Sequence, residues 1–207
     1  MTRIILVRHG HVEGISPPRF RGRADLPLTK LGEVQARAVA QRVAVTWRPI
    51  KIYTSPMRRC VATGEAIATA CNLDAQIIDQ LNDINYGAWQ SKSYDEVKEA
   101  DPKRFAAWFA APHLVRFPEG ESLQDLVARS ADVLRFVLEG YVDDTVILVS
   151  HDSTNRTMLL QLLDQPLSCY WRLAQEPCCI NEIEVVGRNI IVRLVNDTWH
   201  LSHVGVG

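Results

Sequence analysis

The sequence predicts an α/β fold: a three-layer αβα sandwich around a mainly parallel central sheet. Three observations carry that reading. Short apolar runs such as Ile4-Ile5-Leu6-Val7 and Val146-Ile147-Leu148-Val149 alternate along the chain with longer stretches of helical period. The runs lack a polar alternation, as strands covered on both faces do. The length of 207 residues, 47% of them apolar, is enough to bury a sizeable core, and the chain reads as one domain over 1–207.

The elements follow in order. Arg3–Arg8 is a short buried strand that runs into a glycine turn. Segment 10–28, with prolines at 17, 18 and 27, is a loop. Thr29 opens a helix to about Val45, with Leu31, Val34, Ala38 and Val45 assigned to its apolar side. Ile50–Thr54 is a second strand. Ser55 and Pro56 then read as the N-cap and first position of a helix to about Ala70. Asp74–Asp79 is a short strand and Leu81–Ser91 a loop. Helices at about 94–100 and 102–110 lead to a turn at Pro118-Glu119-Gly120-Glu121. Ser122 caps a helix to about Glu139, whose Leu123, Leu126, Val127, Leu134, Val137 and Leu138 keep the 3.6 period. Thr145–Ser150 is the clearest buried strand, followed by a helix over about 154–163. Ile180–Val186 and Ile190–Val195 alternate and are joined by Gly187-Arg188-Asn189 as a hairpin.

Composition narrows the functional classes. No apolar run approaches the roughly 20 residues of a membrane span, and charges at positions 3 and 8 leave no room for a secretory apolar segment. Five cysteines at 60, 71, 169, 178 and 179 lack paired C-x-x-C spacing, so reduced thiols in a cytoplasmic protein are expected. Residues 1–60 hold 12 Lys/Arg and 3 Asp/Glu, whereas the rest of the chain holds 11 and 21. The acidic remainder argues against a nucleic-acid partner. Arginines gathered around a small anion explain the imbalance.

In a parallel sheet, ligands bind where strands end and helices begin. Three strand ends carry similar chemistry: Arg8-His9-Gly10, Ser55-Pro56-Met57-Arg58-Arg59, and Ser150-His151-Asp152. Two arginines, two histidines and helix N-termini at one spot would form a pocket for a tetrahedral oxyanion. No phosphate-binding Gly-Lys loop and no metal-ligand spacing occurs, so neither a metal nor a cofactor is expected.

With these residues, the sequence resembles the histidine phosphatase superfamily, also called phosphoglycerate-mutase-like. The matching pieces are Arg8-His9-Gly10, Arg19-Phe20-Arg21-Gly22, Asp25-Leu26-Pro27-Leu28-Thr29, Gly32, Gln35-Ala36, Thr54-Ser55-Pro56-Met57-x-Arg59, Leu81-x-Asp83 with Gly87-x-Trp89, and Ser150-His151. They fall in the family's order over residues 3 to about 160. The resemblance implies that His9 attacks phosphorus and carries the phosphoryl group, with Arg8, Arg59 and His151 around its oxygens. It selects Arg59 over Arg58, and it places Asp83 where the family has a glutamate acid. Asp152 is the rival acid, by analogy with the His-Asp pair of the acid-phosphatase branch, or else a helix cap. Arg21 and Gly22 match loop residues that line the substrate, and Trp89 reads as packing. His11 and Ile15 depart from the family's glutamate and asparagine.

The implied activity is metal-independent hydrolysis of a small phosphorylated metabolite through a phosphohistidine. A mutase would need a closed lid and a longer basic insertion between Asp83 and His151, where this chain has few basic residues. Mutase-type transfer and non-catalytic binding of a phosphorylated ligand are the alternatives. Segment 84–121 is expected to form an irregular helical cap over the substrate, and exposed strand edges leave room for a homodimer.

Overall fold

The computed structural model describes residues 1–204. Six strands form one sheet in the order β3-β2-β4-β1-β5-β6. These are β1 (Thr2–Arg8), β2 (Lys51–Thr54), β3 (Ala75–Ile77), β4 (Thr145–Ser150), β5 (Ile180–Val186) and β6 (Asn189–Asp197). The first four are mutually parallel, and the β5–β6 hairpin adds antiparallel to β1. Arg8 pairs in register with Ser150, and Thr54 with Val149, so β1, β2 and β4 end along one edge.

Side chains alternate across the pleat and divide the core into two layers. Ile5, Val7, Ile52, Ile147 and Val149 face α1 (Lys30–Thr46) and α2 (Arg58–Cys71). Ile4, Leu6, Tyr53, Val146 and Leu148 face α5 (Leu123–Gly140) and α6 (Asp152–Leu162). Burial on both faces explains why these strands read as unbroken apolar runs.

Helices α1 and α2 differ from their sequence reading. The buried face of α1 is Gly32, Ala36, Val39, Ala40 and Val43, while Leu31, Val34 and Val45 are exposed. Close packing against the site turn selects small residues over large ones. A Cβ on Gly32 would lie 2.2 Å from the His11 carbonyl oxygen, and one on Gly10 would lie 2.5 Å from that of Gly32. Gly32→Ala should therefore destabilise the protein by roughly 1–3 kcal/mol, read as a lower denaturant midpoint. The other difference is α2, which begins at Arg58 with Met57 at the N-cap, not at Ser55-Pro56. Ser55 is engaged elsewhere.

Ser122 caps α5 as expected: its side chain accepts from the Asp125 amide, and Asp125 accepts from the Ser122 amide. α6 begins at Asp152 with His151 at the N-cap, two residues earlier than its apolar pattern suggests.

Segment 84–121 holds α3 (Tyr94–Ala100), α4 (Pro102–Ala110) and two short 3-10 turns. A third core cluster binds this segment to its surroundings through Phe20, Trp89, Trp108, Phe117, Leu160 and Tyr170. The Phe20 amide donates to Lys92 O at 2.9 Å, and the Ser91 amide to Phe20 O at 2.8 Å. The loop carrying Arg21 and Gly22 is thereby tied to the segment. Trp89 is a packing residue, 3% exposed, with its ring 5.0 Å from Phe20.

Candidate active site

The common strand edge brings the three expected motifs together. The main chain continues the ladder one residue past the strands: the His9 amide donates to Ser150 O, and the Ser55 amide to Val149 O, each at 3.0 Å. His9, Arg59, Asp83 and His151 are all buried there.

His9 has a defined tautomer. Its Nδ1 lies 2.7 Å from Gly10 O, an acceptor only, so Nδ1 carries the proton. Its Nε2 lone pair then accepts from Arg59 Nε at 3.1 Å. Burial, together with the Arg59 and Arg8 guanidiniums, holds the imidazole well below its ordinary pKa. At neutral pH it is an uncharged ring with a basic nitrogen facing cations.

Arg59 lies in the first turn of α2 and is fully buried. Besides His9, its guanidinium donates to Ala24 O at 2.7 Å and Gly22 O at 2.6 Å, and it meets Asp83 Oδ2 at 3.4 Å. Gly22 thus contributes a carbonyl that holds Arg59. Arg58 turns outward to pair with Asp25 at 2.9 Å, both largely exposed. Arg8, at the end of β1, is buried; one terminal nitrogen donates to Gln175 O, while its Nε has no partner. Such a buried, unmatched cationic donor is costly without an anion. Arg21 Nη1 is held by Gly14 O at 2.5 Å, and its charge reaches His9, Asp83 and Asp152.

His151 packs its ring edge-on to His9, with centroids 5.2 Å apart. Its Nε2 lies 2.8 Å from Ser55 Oγ, and its Nδ1 lies 3.7 Å from Asp83 Oδ2. This is what Ser55 does in place of capping α2. Burial, then the Arg59 and His9 charges, lowers the His151 pKa as well.

The two carboxylates are pushed in opposite directions. Burial and the neighbouring Asp152 raise Asp83 to about 6. Burial also opposes ionisation of Asp152, but Arg8, Arg156 and Arg21 outweigh it and hold that carboxyl below the usual range. Arg156 Nη1 lies 3.3 Å from Asp152 Oδ2 one helical turn away. Asp152 is the first residue of α6, so it is not the helix cap.

Sequence reasoning missed Ser55 as the partner of His151, because Ser-Pro before a helix reads as a cap. It also missed Gln175. The Gln175 carbonyl holds Arg8, and its buried amide bonds Asn181 Oδ1 at 2.7 Å. A glutamine 167 positions from Arg8 leaves no local signal. Among the described residues, no group of three His, Cys, Asp or Glu side chains gathers to hold a metal ion, and no helix is long and apolar enough to cross a membrane. The cysteines are all free thiols. Cys178 and Cys179 lie beside Arg8 and are pushed up by burial, Cys179 to about 12, which leaves them poor nucleophiles and metal ligands.

The family model described as "Histidine phosphatase superfamily (branch 1)" matches residues 4–198. Phosphoserine phosphatase 1 of Hydrogenobacter thermophilus is 33% identical over 98% of this chain and 95% of its own. The metal-independent phosphoserine phosphatase of Arabidopsis thaliana is 28% identical over 99% of this chain and 85% of its own. Among solved structures, Bacillus stearothermophilus YhfR superposes with a TM-score of 0.92 at 27% identity, covering 97% of this chain and all of its own.

Proposed function

The chain belongs to the histidine phosphatase superfamily, and on that premise we propose that it hydrolyses a small phosphomonoester through a phosphohistidine at His9, without a metal ion. The observation that carries the reading is a neutral imidazole whose Nε2 lone pair is directed into a cluster of buried guanidinium groups. A bound phosphoryl group would take the Arg59 and Arg8 donors onto its oxygens and leave Nε2 free to attack phosphorus in line. With Ser55 donating to its Nε2, His151 would offer Nδ1–H as a further donor. The fixed cations neutralise charge on the equatorial oxygens, where catalysis of phosphoryl transfer mainly lies.

The departing alkoxide needs a proton. Asp83 is the acid, because it alone of the two carboxyls has its pKa raised toward neutrality, to about 6. It then takes the proton of the water that releases the phosphoryl group from His9. Asp152 stays ionised. Its charge would suit a cationic group on the substrate, and the names of two relatives make O-phosphoserine, with its ammonium, the first substrate to test. The 84–121 segment, tied to the loop of Arg21 and Gly22, would cap that part of the site. Arg104 and Arg116, two of the few basic residues there, are engaged by Asp101 and Asp125, which favours hydrolysis over mutase-type transfer.

The decisive assay is release of inorganic phosphate from O-phosphoserine and p-nitrophenyl phosphate in EDTA. Turnover blocked by vanadate supports the reading; turnover that requires added Mg²⁺ overturns it. The acid is tested by pH. Because Asp83 titrates at about 6, kcat/KM for an alkyl phosphate should fall as pH rises past that value. Asp83→Asn should remove this decline and cost about 10²–10⁴-fold with the alkyl ester. The loss with p-nitrophenyl phosphate, whose leaving group needs no proton, should be much smaller. The same two rates for Asp152→Asn should fall together.

A further inference from the structure

The loop that carries Asp83 has almost no regular structure to fix it. It follows a single 3-10 turn (Asp79–Leu81), yet the acid must be held to within about 0.5 Å of its productive place, at hydrogen-bond distance from the ester oxygen. Each backbone carbonyl from 80 to 83 accepts from a side chain elsewhere in the fold. Leu81 O takes Ser150 Oγ at 2.8 Å, and Asn82 O takes Thr154 Oγ1 at 2.9 Å.

The remaining bonds converge on one residue of α5. Arg129 Nη1 donates to Gln80 O at 2.7 Å and Asn82 O at 2.6 Å, and Nη2 donates to Asp83 O at 2.8 Å. Its Nε and Nη2 also grip both oxygens of Glu121, at 3.1 and 3.2 Å. Glu121 in turn accepts the Asn85 amide at 2.8 Å and Arg23 Nη2 at 3.0 Å, while Arg23 Nε reaches Asp83 O at 3.3 Å. Arg129 and Glu121 are both mostly buried. The planar fork of arginine is required, since three carbonyls and a carboxylate are addressed from one rigid group.

We propose that Arg129, locked by Glu121, is a positioning residue that sets the reach of the Asp83 carboxyl toward the leaving oxygen. It touches no reacting group and acts through the main chain of 80–83. Glu121 belongs to the end of the 84–121 segment, so the same fork ties the acid's position to the segment over the pocket. The inference rests on Asp83 being the acid, and the test separates the two.

The experiment measures kcat/KM, which reports the first phosphoryl transfer and not the later hydrolysis of the phosphohistidine, on p-nitrophenyl phosphate and on an alkyl phosphate for the wild type, Arg129→Met, Arg129→Lys, Glu121→Gln, Asp83→Asn and the Asp83→Asn/Arg129→Met pair. Arg129→Met should lose about 10-fold more activity with the alkyl ester than with the aryl ester, the same signature as Asp83→Asn. Lysine should restore little, because it lacks the fork. The double variant should be no slower on the alkyl ester than Asp83→Asn alone. Equal loss on both esters by Arg129→Met, or additive loss in the double variant, overturns the positioning role while leaving Asp83 as the acid. If Asp83→Asn itself shows no leaving-group selectivity, the acid assignment falls and this inference with it. Should Arg129→Met not fold, Glu121→Gln decides the question: a smaller selective loss of about 3-fold or more is expected, and an equal loss on both esters overturns the proposal.

Discussion

Replacing His9 with alanine should abolish turnover of every phosphomonoester, by about 10⁴-fold or more. The expectation follows from its position: Nε2 is the one uncharged basic nitrogen directed at the guanidinium cluster, with its tautomer fixed by Gly10 O. The other histidine of the pair has Nε2 occupied by Ser55. The wild-type protein, quenched in alkali during turnover of a ³²P-labelled ester, should carry acid-labile, base-stable label on His9. The variant should carry none and should retain its helical circular dichroism. Residual activity above about a tenth of wild type would mean that another group attacks phosphorus.

Arg59→Met is expected to have a large effect on catalysis and stability together. Losing a charged donor to the transferring phosphoryl group should lower kcat by about 10²–10³-fold. The same change leaves Ala24 O and Gly22 O without their donor and Asp83 without its buried cation. A loss of about 3 kcal/mol in unfolding free energy should follow, measured by urea titration. Arg59 also holds down the pKa of His9 and, against the effect of burial, that of Asp83. Both groups should titrate higher in the variant, so the acid limb and the alkaline limb of residual activity both move to higher pH. A variant with lost activity but unchanged stability would show that the 22–24 loop is held by its packing instead.

Much of this molecule is legible without any coordinate. The parallel strands announce themselves because a sheet buried on both faces demands unbroken apolar runs rich in β-branched residues, as at Ile4–Val7 and Val146–Val149. The candidate residues His9, Arg59 and His151 are legible for a related reason: the end of a parallel strand is where a side chain can leave the core and meet its counterparts. The buried face of α1 is not legible in this way, because hydrophobicity is the wrong measure of burial there. Contact of Gly32 with the His9–His11 turn selects smallness there, and Ala36 and Ala40 extend that buried face with small side chains.

By itself, the sequence determined the order of the elements, the strand edge that gathers the chemistry, and the residue types that make an oxyanion pocket. These depend on local periodicity and on where charge interrupts an apolar run. Only the tertiary structure decided that the two carboxyls are pushed in opposite directions, that Ser55 serves His151 instead of capping a helix, and that Gln175 and Arg129 bond Arg8 and the Asp83 loop. Those outcomes depend on burial and on charges brought close from distant parts of the chain. Coulomb energy and desolvation are functions of distance in space, which the spacing of residues along a sequence does not record.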